Sequence, residues 1–361
     1  MSTRRHFLKT TFASAAALGV SGPVAAAAEE AEWRNRRDGM RYRRLGRTQF
    51  MVSEIVMGGN EITPDRYEHI LPALDQGLNY LDTAPAYGRG KSEQALAKVI
   101  KARPRDQFFL NTKVSPWDIN RNRLYEKIYS GLSDKEQADL RRKASEEIEA
   151  RGVANPQYFV DYFRGQRGEL EAAALSNVME KEYGRRIDRE KNYKQVILDS
   201  VDESLARLGT DHLDIMMCPH GASSPAELLN FPEIFEAFDV LKKAGKVRHL
   251  GVSAHTDSAG ILRAAVKTGV YSMAMVAYNI VNHTFVDDAL AEAHARDLGV
   301  IAMKVARPVF PGRGRDTAYP EQRKLLDREV QGDWSVPQRA YLWALRNKNL
   351  SAVVSNMVDA E

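Results

Sequence analysis

The chain has 361 residues, of which 43% are hydrophobic and 28% charged, a composition typical of a globular protein with a full core. Its 52 basic and 48 acidic residues give a net charge of only +4, too balanced a charge to indicate a nucleic-acid surface. The eight histidines lack metal-ligand spacing and the single cysteine, Cys218, can form no internal disulfide, so we expect neither a bound metal nor a disulfide framework.

The first predicted element is a signal segment over residues 1–28. Arg4 and Arg5 lie in the sequence TRRHFLK, which is followed by a weakly apolar run and by small residues ending at Ala28. This layout resembles a twin-arginine (Tat) signal peptide, which implies recognition by the Tat export machinery and a periplasmic or otherwise exported protein. A basic amphipathic or disordered tail is the alternative. Because Ser, Thr, Gly and Pro23 interrupt the run, we expect no stable membrane insertion.

From Met40 onward, short apolar runs alternate with helical patterns, which predicts an α/β protein with a (β/α)8 TIM barrel over 40–361. The eight predicted strands are SEIVMGG near 54–60, LNYLDTA at 78–84, QFFLNTKV at 107–114, LDIMMCP at 213–219, VRHLGVSA at 247–254, SMAMVAYNI at 272–280, GVIAMKVA at 299–306 and LSAVVSNM at 350–357. A doubly wound sheet is the competing fold, but no GxGxxG or GxxxxGK phosphate loop is present. A short hairpin before the first strand is expected to plug the barrel's lower end.

Two features interrupt the alternation. Residues 115–191 form a long insertion of helical composition between the third strand and its helix. Because loops after barrel strands lie on the active-site face, we expect this insertion to be a helical lid; a charged outgrowth that binds a partner is the alternative. The chain as given ends at Glu361, shortly after the eighth predicted strand, so we expect no eighth helix in it.

Polar residues stand at the ends of three adjacent predicted strands. Asp82 ends the second strand, Tyr87 follows in its loop, Lys113 ends the third strand and His220 ends the fourth. Singly, each could be a helix cap, a loop aromatic, a solvated charge or a satisfied polar residue. Because the carboxyl ends of barrel strands share one face, together they predict a single catalytic site.

Several segments of the chain resemble the aldo-keto reductase family over residues 40–361. In family order they are YRRLGRT, VSEIVMGG, LDTAPAYGRGKSE, NTKVSPW, SLARLGTDHLDIMMCPHG, GKVRHLGVSAHT and YNIVN. The resemblance implies that the family's catalytic Asp, Tyr, Lys and His are Asp82, Tyr87, Lys113 and His220. It also implies NAD(P)H-dependent reduction of a small-molecule aldehyde or ketone, or oxidation of the alcohol.

These four residue types suit hydride transfer to a carbonyl group. Tyr87 can donate a proton as negative charge develops on the oxygen, and the charge of Lys113 favours the phenolate that remains. Asp82 can hold the lysine in place, and His220 can donate a hydrogen bond to the substrate oxygen. Schiff-base chemistry at Lys113, as in an aldolase, is an alternative use of the same residues.

The hydride requires a cofactor, because no side chain is a hydride donor, and the resemblance implies NADP, with NAD possible. The expected cofactor-binding residues are Gly59, Asn60, Asp82, Ser253 and Lys304. The family commonly has Asn and Gln where this chain has Ala254 and Met275, and both of those amides reach the nicotinamide. A nicotinamide-binding sensor or interaction module with little turnover is therefore an alternative function.

Further candidate contacts lie outside this set. Trp117, four residues after Lys113, is either a wall of the substrate pocket or a packing residue of the insertion. Relatives in the family usually bind the adenosine phosphate with their final loop and helix. We therefore expect either that the chain is a fragment or that Arg307, Arg313 and Arg315 reach the phosphates.

Overall fold

The structure is a computed structural model that describes residues 30–312 and 314–357. The predicted signal segment 1–28 and Arg313 lie outside the described residues. The strands in the described part are β1 Glu32–Trp33, β2 Tyr42–Arg44, β3 Phe50–Ser53, β4 Ile55–Gly58, β5 Tyr80–Asp82, β6 Phe109–Lys113, β7 Leu213–His220, β8 Val247–Ala254, β9 Met273–Ala277, β10 Gly299–Met303 and β11 Ala352–Ser355. The α-helices there are α1 Ile70–Asp75, α2 Lys91–Ala102, α3 Ser115–Tyr129, α4 Asp134–Ala150, α5 Gln166–Tyr183, α6 Val196–Leu208, α7 Ala226–Leu229, α8 Pro232–Lys243, α9 Ser258–Thr268, α10 His283–Ala295, α11 Pro320–Glu329 and α12 Val336–Ala344.

Strands β4 to β11 close into a parallel barrel in chain order, with β11 paired back to β4. Seven of the eight predicted strand segments contain one of these barrel strands, and the fourth, 213–219, lacks only the last residue of β7, so the predicted (β/α)8 fold is confirmed. Every residue of β6, β9 and β10 is buried. Strands covered on both faces need apolar residues on both, which explains why β9 and β10 have continuous apolar sequences.

The predicted hairpin before the barrel is formed by β2 and β3, which pair antiparallel, and β1 joins its other edge in parallel. Phe50 of β3 stacks on Phe109 of β6, with ring centroids 4.2 Å apart. Phe50, Val52 and Leu45 share one apolar cluster with inward-facing residues of the barrel strands. The hairpin therefore caps the lower end of the barrel, as expected.

A buried ion cluster ties the segment before the hairpin to the barrel. Asp214 of β7 is fully buried and forms ion pairs with Arg34, Arg105 and Arg248 at 2.7–2.9 Å. Burial alone would raise the pKa of Asp214, but the arginines Arg105 and Arg34 lower it below its usual range. The carboxylate is therefore charged and compensated, as a buried charge must be.

The insertion after β6 is helical in its described structure and contains α3, α4 and α5. Helix α4 begins at a capping box in which Ser133 and Glu136 exchange hydrogen bonds with each other's backbone. Tyr125, Leu140 and Met179 form part of a small apolar core between the three helices. The insertion thus has a packed core of its own in addition to its contacts with the barrel.

Helices α11 and α12 lie between β10 and β11, and no helix follows β11 within the described residues.

None of the helices in the described part is both long and apolar enough to cross a membrane. No group of three or more His, Cys, Asp or Glu residues that could hold a metal ion occurs among the described residues.

Candidate active site

The carboxyl ends of β5, β6 and β7 bring the four predicted catalytic residues together. Asp82, Lys113 and His220 are the last residues of these three strands. Tyr87 begins a short turn after β5, in which Gly88 has a φ of 58°. A left-handed backbone of this kind favours glycine, and it turns the chain so that Tyr87 faces back toward the strand ends.

Lys113 and Asp82 form a buried ion pair at the centre of the site, and each side chain is at most 3% exposed. The amine donates hydrogen bonds to Oδ1 of Asp82 and, at 2.9 Å, to the carbonyl of Thr83. Asn111 donates a further hydrogen bond to the same carboxylate oxygen at 2.8 Å. Burial alone would lower the pKa of Lys113, but Asp82 and then Tyr87 raise it above its usual value, so the amine is charged.

Tyr87 lies beside this charge. The amine nitrogen of Lys113 is 4.6 Å from the centroid of the phenol ring, and the ring meets that of His220 edge-on at 6.0 Å. Burial raises the pKa of Tyr87, Lys113 opposes the rise, and the net result is a pKa above the ordinary value. The phenol is therefore protonated at neutral pH and carries a proton that it can donate.

His220 is held from two sides by the first turn of α3. Its Nδ1 lies 2.7 Å from Oγ of Ser115, and its backbone N–H donates to Oδ2 of Asp118 at 3.0 Å. Burial and the charge of Lys113 lower the pKa of His220 to about 3. The imidazole is therefore neutral at neutral pH, with one nitrogen protonated and the other free to accept.

Ser115, Asp118 and His255 also lie at the site, although they were not predicted from the sequence. His255 directly follows β8, and its buried Nδ1 has no hydrogen-bond partner in the described part of the chain. Burial and then the charge of Lys304 lower its pKa well below the ordinary value. Asp82 was predicted because it is a polar residue at the end of a strand, and the same criterion would have identified His255. No local sequence pattern indicates Ser115 or Asp118.

The predicted cofactor-binding residues of the first strand have different surroundings. A Cβ atom on Gly59 would lie 2.3 Å from the carbonyl oxygen of Asp82, so the close approach of the two strand ends requires glycine there. Asn60 is exposed and donates a hydrogen bond to Glu61 at 3.0 Å. Gly59 therefore has a structural role whether or not a cofactor contacts it.

The other predicted cofactor residues lie at the ends of β8 and β10. Ser253 is buried, and its hydroxyl accepts a hydrogen bond from the backbone of Gly221 at 3.2 Å. Lys304 directly follows β10, has a φ of 58°, and its side chain forms no ion pair or hydrogen bond with any described residue. Burial and the charge of Arg307 lower the pKa of Lys304.

These residues fit a nicotinamide dinucleotide, although the fit differs between the two parts of the cofactor. The unpaired amine of Lys304 suits an anionic diphosphate, and the free Nδ1 of His255 offers a further hydrogen-bonding group. Met275 stands beside Ser253 in the strand register and, like the buried Ala254, presents no amide toward the nicotinamide. The predicted loss of the two amides is thus consistent with the packing of these positions.

The remaining candidate contacts are Trp117 and the arginines of the loop after β10. Trp117 is fully buried on α3, with its ring 4.9 Å from that of Phe231 and 5.9 Å from that of Tyr193. These contacts support its interpretation as a packing residue of the insertion. Arg307 and Arg315 are exposed in the loop after β10. Their contacts with the described residues do not show whether they reach the cofactor phosphates.

A segment of the insertion crosses the carboxyl ends of β8 and β9. This crossing segment, residues 151–166, consists of the connection between α4 and α5 together with the first residue of α5. The Tyr158 hydroxyl and the Arg151 guanidinium both donate to the carboxylate of Asp257, at 3.0 and 3.3 Å. The crossing segment is therefore anchored to the start of α9, three residues beyond the end of β8.

Two more contacts continue along the crossing segment. Gln166 donates to the hydroxyl of Thr256 at 3.3 Å, and Asn279, which follows β9, donates to the hydroxyl of Tyr162 at 2.8 Å. Tyr162 is only 3% exposed and belongs to the main apolar core. The crossing segment is thus packed against the barrel on the side of His255 and Ser253.

The sequence of the chain is similar to those of a known protein family. A sequence model described as "Aldo/keto reductase family" matches residues 54–160 and 178–356. The chain is 36% identical over 103 residues to aldo-keto reductase YhdN of Bacillus subtilis, an alignment that covers 26% of this chain and 31% of that protein. It is 23% identical over 317 residues to the NADH-specific methylglyoxal reductase of Escherichia coli, covering 81% of this chain and 78% of that protein. The chain therefore spans less than a third of the first of these relatives and about three quarters of the second.

Among solved structures, aldo-keto reductase AKR11C1 from Bacillus halodurans, in its holo form, resembles this chain with a TM-score of 0.57. The two are 21% identical, and the match covers 89% of this chain and 87% of that one. At this level of identity the likeness concerns the fold, and it agrees with the closed parallel barrel described above.

Proposed function

The chain belongs to the aldo/keto reductase family, and from that premise we propose that it transfers hydride between NAD(P)H and an aldehyde or ketone, or in reverse from the alcohol. One observation carries the proposal: a protonated phenol, Tyr87, lies 4.6 Å from the buried and charged amine of Lys113. Such a pair provides both a proton donor and a charge that stabilises the donor after the proton has left.

When it is bound, the nicotinamide cofactor supplies the hydride. Tyr87 donates its phenolic proton to the carbonyl oxygen as that oxygen becomes negative. The phenolate that remains is stabilised by Lys113, whose position is fixed by Asp82 and Thr83. His220, neutral at working pH, donates a hydrogen bond to the same oxygen and orients it toward Tyr87.

Steady-state kinetics test this function directly. NADPH and NADH are mixed with the protein and a panel of aldehydes and ketones, and loss of nicotinamide absorbance is followed. Methylglyoxal and NADH belong in the panel because the E. coli relative is named for them. Nucleotide binding without consumption for every substrate would favour the sensor alternative, to which Ala254 and Met275 lend support. Borohydride trapping of a covalent substrate adduct on Lys113 would favour the aldolase alternative.

We also propose that the insertion 115–191 acts as a lid on the substrate side of the site. The proposal is supported by the crossing segment, whose side chains contact Thr256, Asp257 and Asn279 directly after β8 and β9. Residues in these loops are the ones that contact ligands in a barrel of this type. The insertion would then shape substrate access and exclude water during hydride transfer.

Export is a separate proposal. We propose that residues 1–28 direct the protein to the Tat pathway, on the basis of Arg4, Arg5 and the residues that follow them. The cofactor would then bind during folding in the cytoplasm, travel with the protein and be recycled on it by a second substrate. A reporter fused to residues 1–28 should be exported, and the double variant Arg4→Lys, Arg5→Lys should abolish its export. Protein purified from the periplasm without bound nucleotide would contradict the proposal that the cofactor is carried along.

A further inference from the structure

The hydroxyl of Ser115 connects the loop that carries Tyr87 to His220 at the end of β7. Ser115 is the first residue of α3 and is only 7% exposed. Its Oγ lies 2.7 Å from Nδ1 of His220 and accepts a hydrogen bond from the backbone N–H of Ala86 at 3.4 Å. Ala86 directly precedes Tyr87, so one hydroxyl contacts both sides of the catalytic site.

The direction of the hydrogen bond between Ser115 and His220 follows from this arrangement. If the hydroxyl donates its hydrogen bond to Nδ1 while it accepts one from the N–H of Ala86, both its donor and its acceptor capacity are used. If instead Nδ1–H donates to Oγ, the hydroxyl proton has no other acceptor among the described residues. A buried donor without a partner is costly, and the first arrangement is therefore the stable one.

The state of the imidazole makes this direction matter. Because burial and Lys113 lower the pKa of His220 to about 3, the ring is neutral at neutral pH and must be one of two tautomers. Its backbone is fixed as well, through the hydrogen bond from its N–H to Asp118 at 3.0 Å. Nε2, across the ring from Ser115, has no hydrogen-bond partner in the described part of the chain.

We infer that Ser115 is a positioning residue that fixes His220 as the Nε2–H tautomer, so that the ring presents a hydrogen-bond donor to the carbonyl oxygen. The inference rests on the proposed carbonyl reduction for the identity of that oxygen. The other tautomer would direct a lone pair at the oxygen and repel the negative charge that develops there. Ser115 thus decides whether His220 assists or opposes the reaction without contacting the substrate itself.

The expected effect of removing the hydroxyl is smaller than that of removing a donor. Deleting one donor to a developing oxyanion typically costs about 10²- to 10³-fold in kcat. In Ser115→Ala both tautomers become accessible, and part of the population still presents Nε2–H. We therefore expect kcat to fall by about tenfold to a hundredfold, with little change in the KM for NAD(P)H.

The experiment is a tautomer measurement on the whole protein without substrate, using 15N-histidine labelling and two-bond 15N–1H correlation spectra. His220→Gln assigns the ring signals by their disappearance. We expect the Nε2–H pattern in the wild type and in Ser115→Thr, which keeps the hydroxyl. In Ser115→Ala we expect the tautomer population to shift toward Nδ1–H. Ser130→Ala, an exposed serine just after the other end of α3, is the matched control and should leave spectrum and kcat unchanged.

An Nδ1–H ring in the wild type would overturn the inference, and so would an unchanged tautomer in Ser115→Ala. Ser115→Cys, whose thiol is a weaker donor of similar size, provides a second variant if the alanine variant fails to fold, and an intermediate tautomer ratio is expected there. The spectra need no turnover, so a wild type that shows the Nε2–H pattern but reduces no carbonyl would disprove the proposed function and leave the tautomer assignment intact.

Discussion

Lys113 and Asp82 form an ion pair that is almost completely shielded from solvent at the ends of two adjacent strands. Removing one partner of such a pair leaves the other charge buried and uncompensated. Asp82→Asn should therefore lower the free energy of unfolding by about 3–5 kcal/mol, measured by urea denaturation. The matched control is Asp202→Asn, whose partner Lys246 lies at the surface, and it should be nearly neutral. Equal effects of the two substitutions would contradict the assignment of a buried charge.

Tyr87→Phe tests the proton donor. The substitution should lower kcat for carbonyl reduction by about 10²- to 10⁴-fold, because it removes general acid catalysis and little packing area. Fold and nucleotide affinity should be retained, as checked by circular dichroism and calorimetric titration. Tyr67→Phe is the control, since Tyr67 also lies near a lysine amine, that of Lys98 at 5.3 Å, and Lys98 is not one of the proposed catalytic residues. Near-normal turnover by Tyr87→Phe would exclude Tyr87 from this role.

The neutral state of His220 predicts a pH dependence of stability. Its pKa is about 3 in the folded protein and 6.5 when unperturbed, so below pH 6.5 the unfolded chain binds a proton that the folded chain does not. The group thus contributes stability above pH 6.5, which is lost progressively as the pH falls toward about 3. His220→Gln should flatten this part of the curve relative to the wild type in denaturation series across that range. Parallel curves for the two proteins would show that His220 titrates normally.

Substitution of Lys304 tests the predicted cofactor site. Lys304→Met should weaken NADPH and NADH binding by about tenfold or more in calorimetric titrations, because it removes an unpaired charge that suits a diphosphate. Lys101→Met, at an exposed position on α2, should bind both nucleotides as the wild type does.

Met275→Gln provides a gain-of-function test of the same site. It places an unpaired amide at a buried position and should destabilise the free protein by about 1–3 kcal/mol. Added NADPH should then raise the melting temperature of this variant more than that of the wild type, because the amide gains a partner. An equal shift in both proteins would mean that position 275 does not face the nicotinamide.

The crossing segment should control access to the site. The double variant Arg151→Ala, Tyr158→Phe removes both hydrogen bonds to Asp257 and should release the segment from the barrel. We expect faster proteolysis within 151–166 and a change in KM across the substrate panel that exceeds the change in kcat. Arg142→Ala, on the exposed face of α4, is the control. Unchanged kinetics together with faster proteolysis would argue against a lid.

The proximity of the proposed catalytic residues could be predicted from the sequence because a parallel barrel leaves little freedom at its strand ends. Once Asp82, Lys113 and His220 are assigned to the ends of adjacent strands, their proximity follows from the topology. Ser115 could not be found in this way. It lies 105 residues from His220 along the chain, and a serine at the start of a helix is usually a cap rather than a partner of a distant side chain.

The path of the insertion also could not be predicted from the periodicity of the sequence. Helical composition predicts that α4 and α5 form, but it does not determine which barrel loops lie beneath the segment between them. Trp117 illustrates the same limit, because its amphipathic ring suits a pocket and a core equally well. Its burial is decided by Phe231 and Tyr193, which are distant in sequence.

The hairpin that caps the lower end of the barrel has a consequence for proton supply. Phe50 and Phe109 stack across that end, with the guanidinium groups of Arg248 and Arg34 over their outer faces. Buried apolar side chains fill the barrel interior above this end, so we expect no aqueous route to Tyr87 through it. Each turnover would then reload the phenol from the mouth, along the same opening that admits the substrate. A bulky inhibitor bound there should slow hydrogen–deuterium exchange at the phenol of Tyr87 as well as block catalysis.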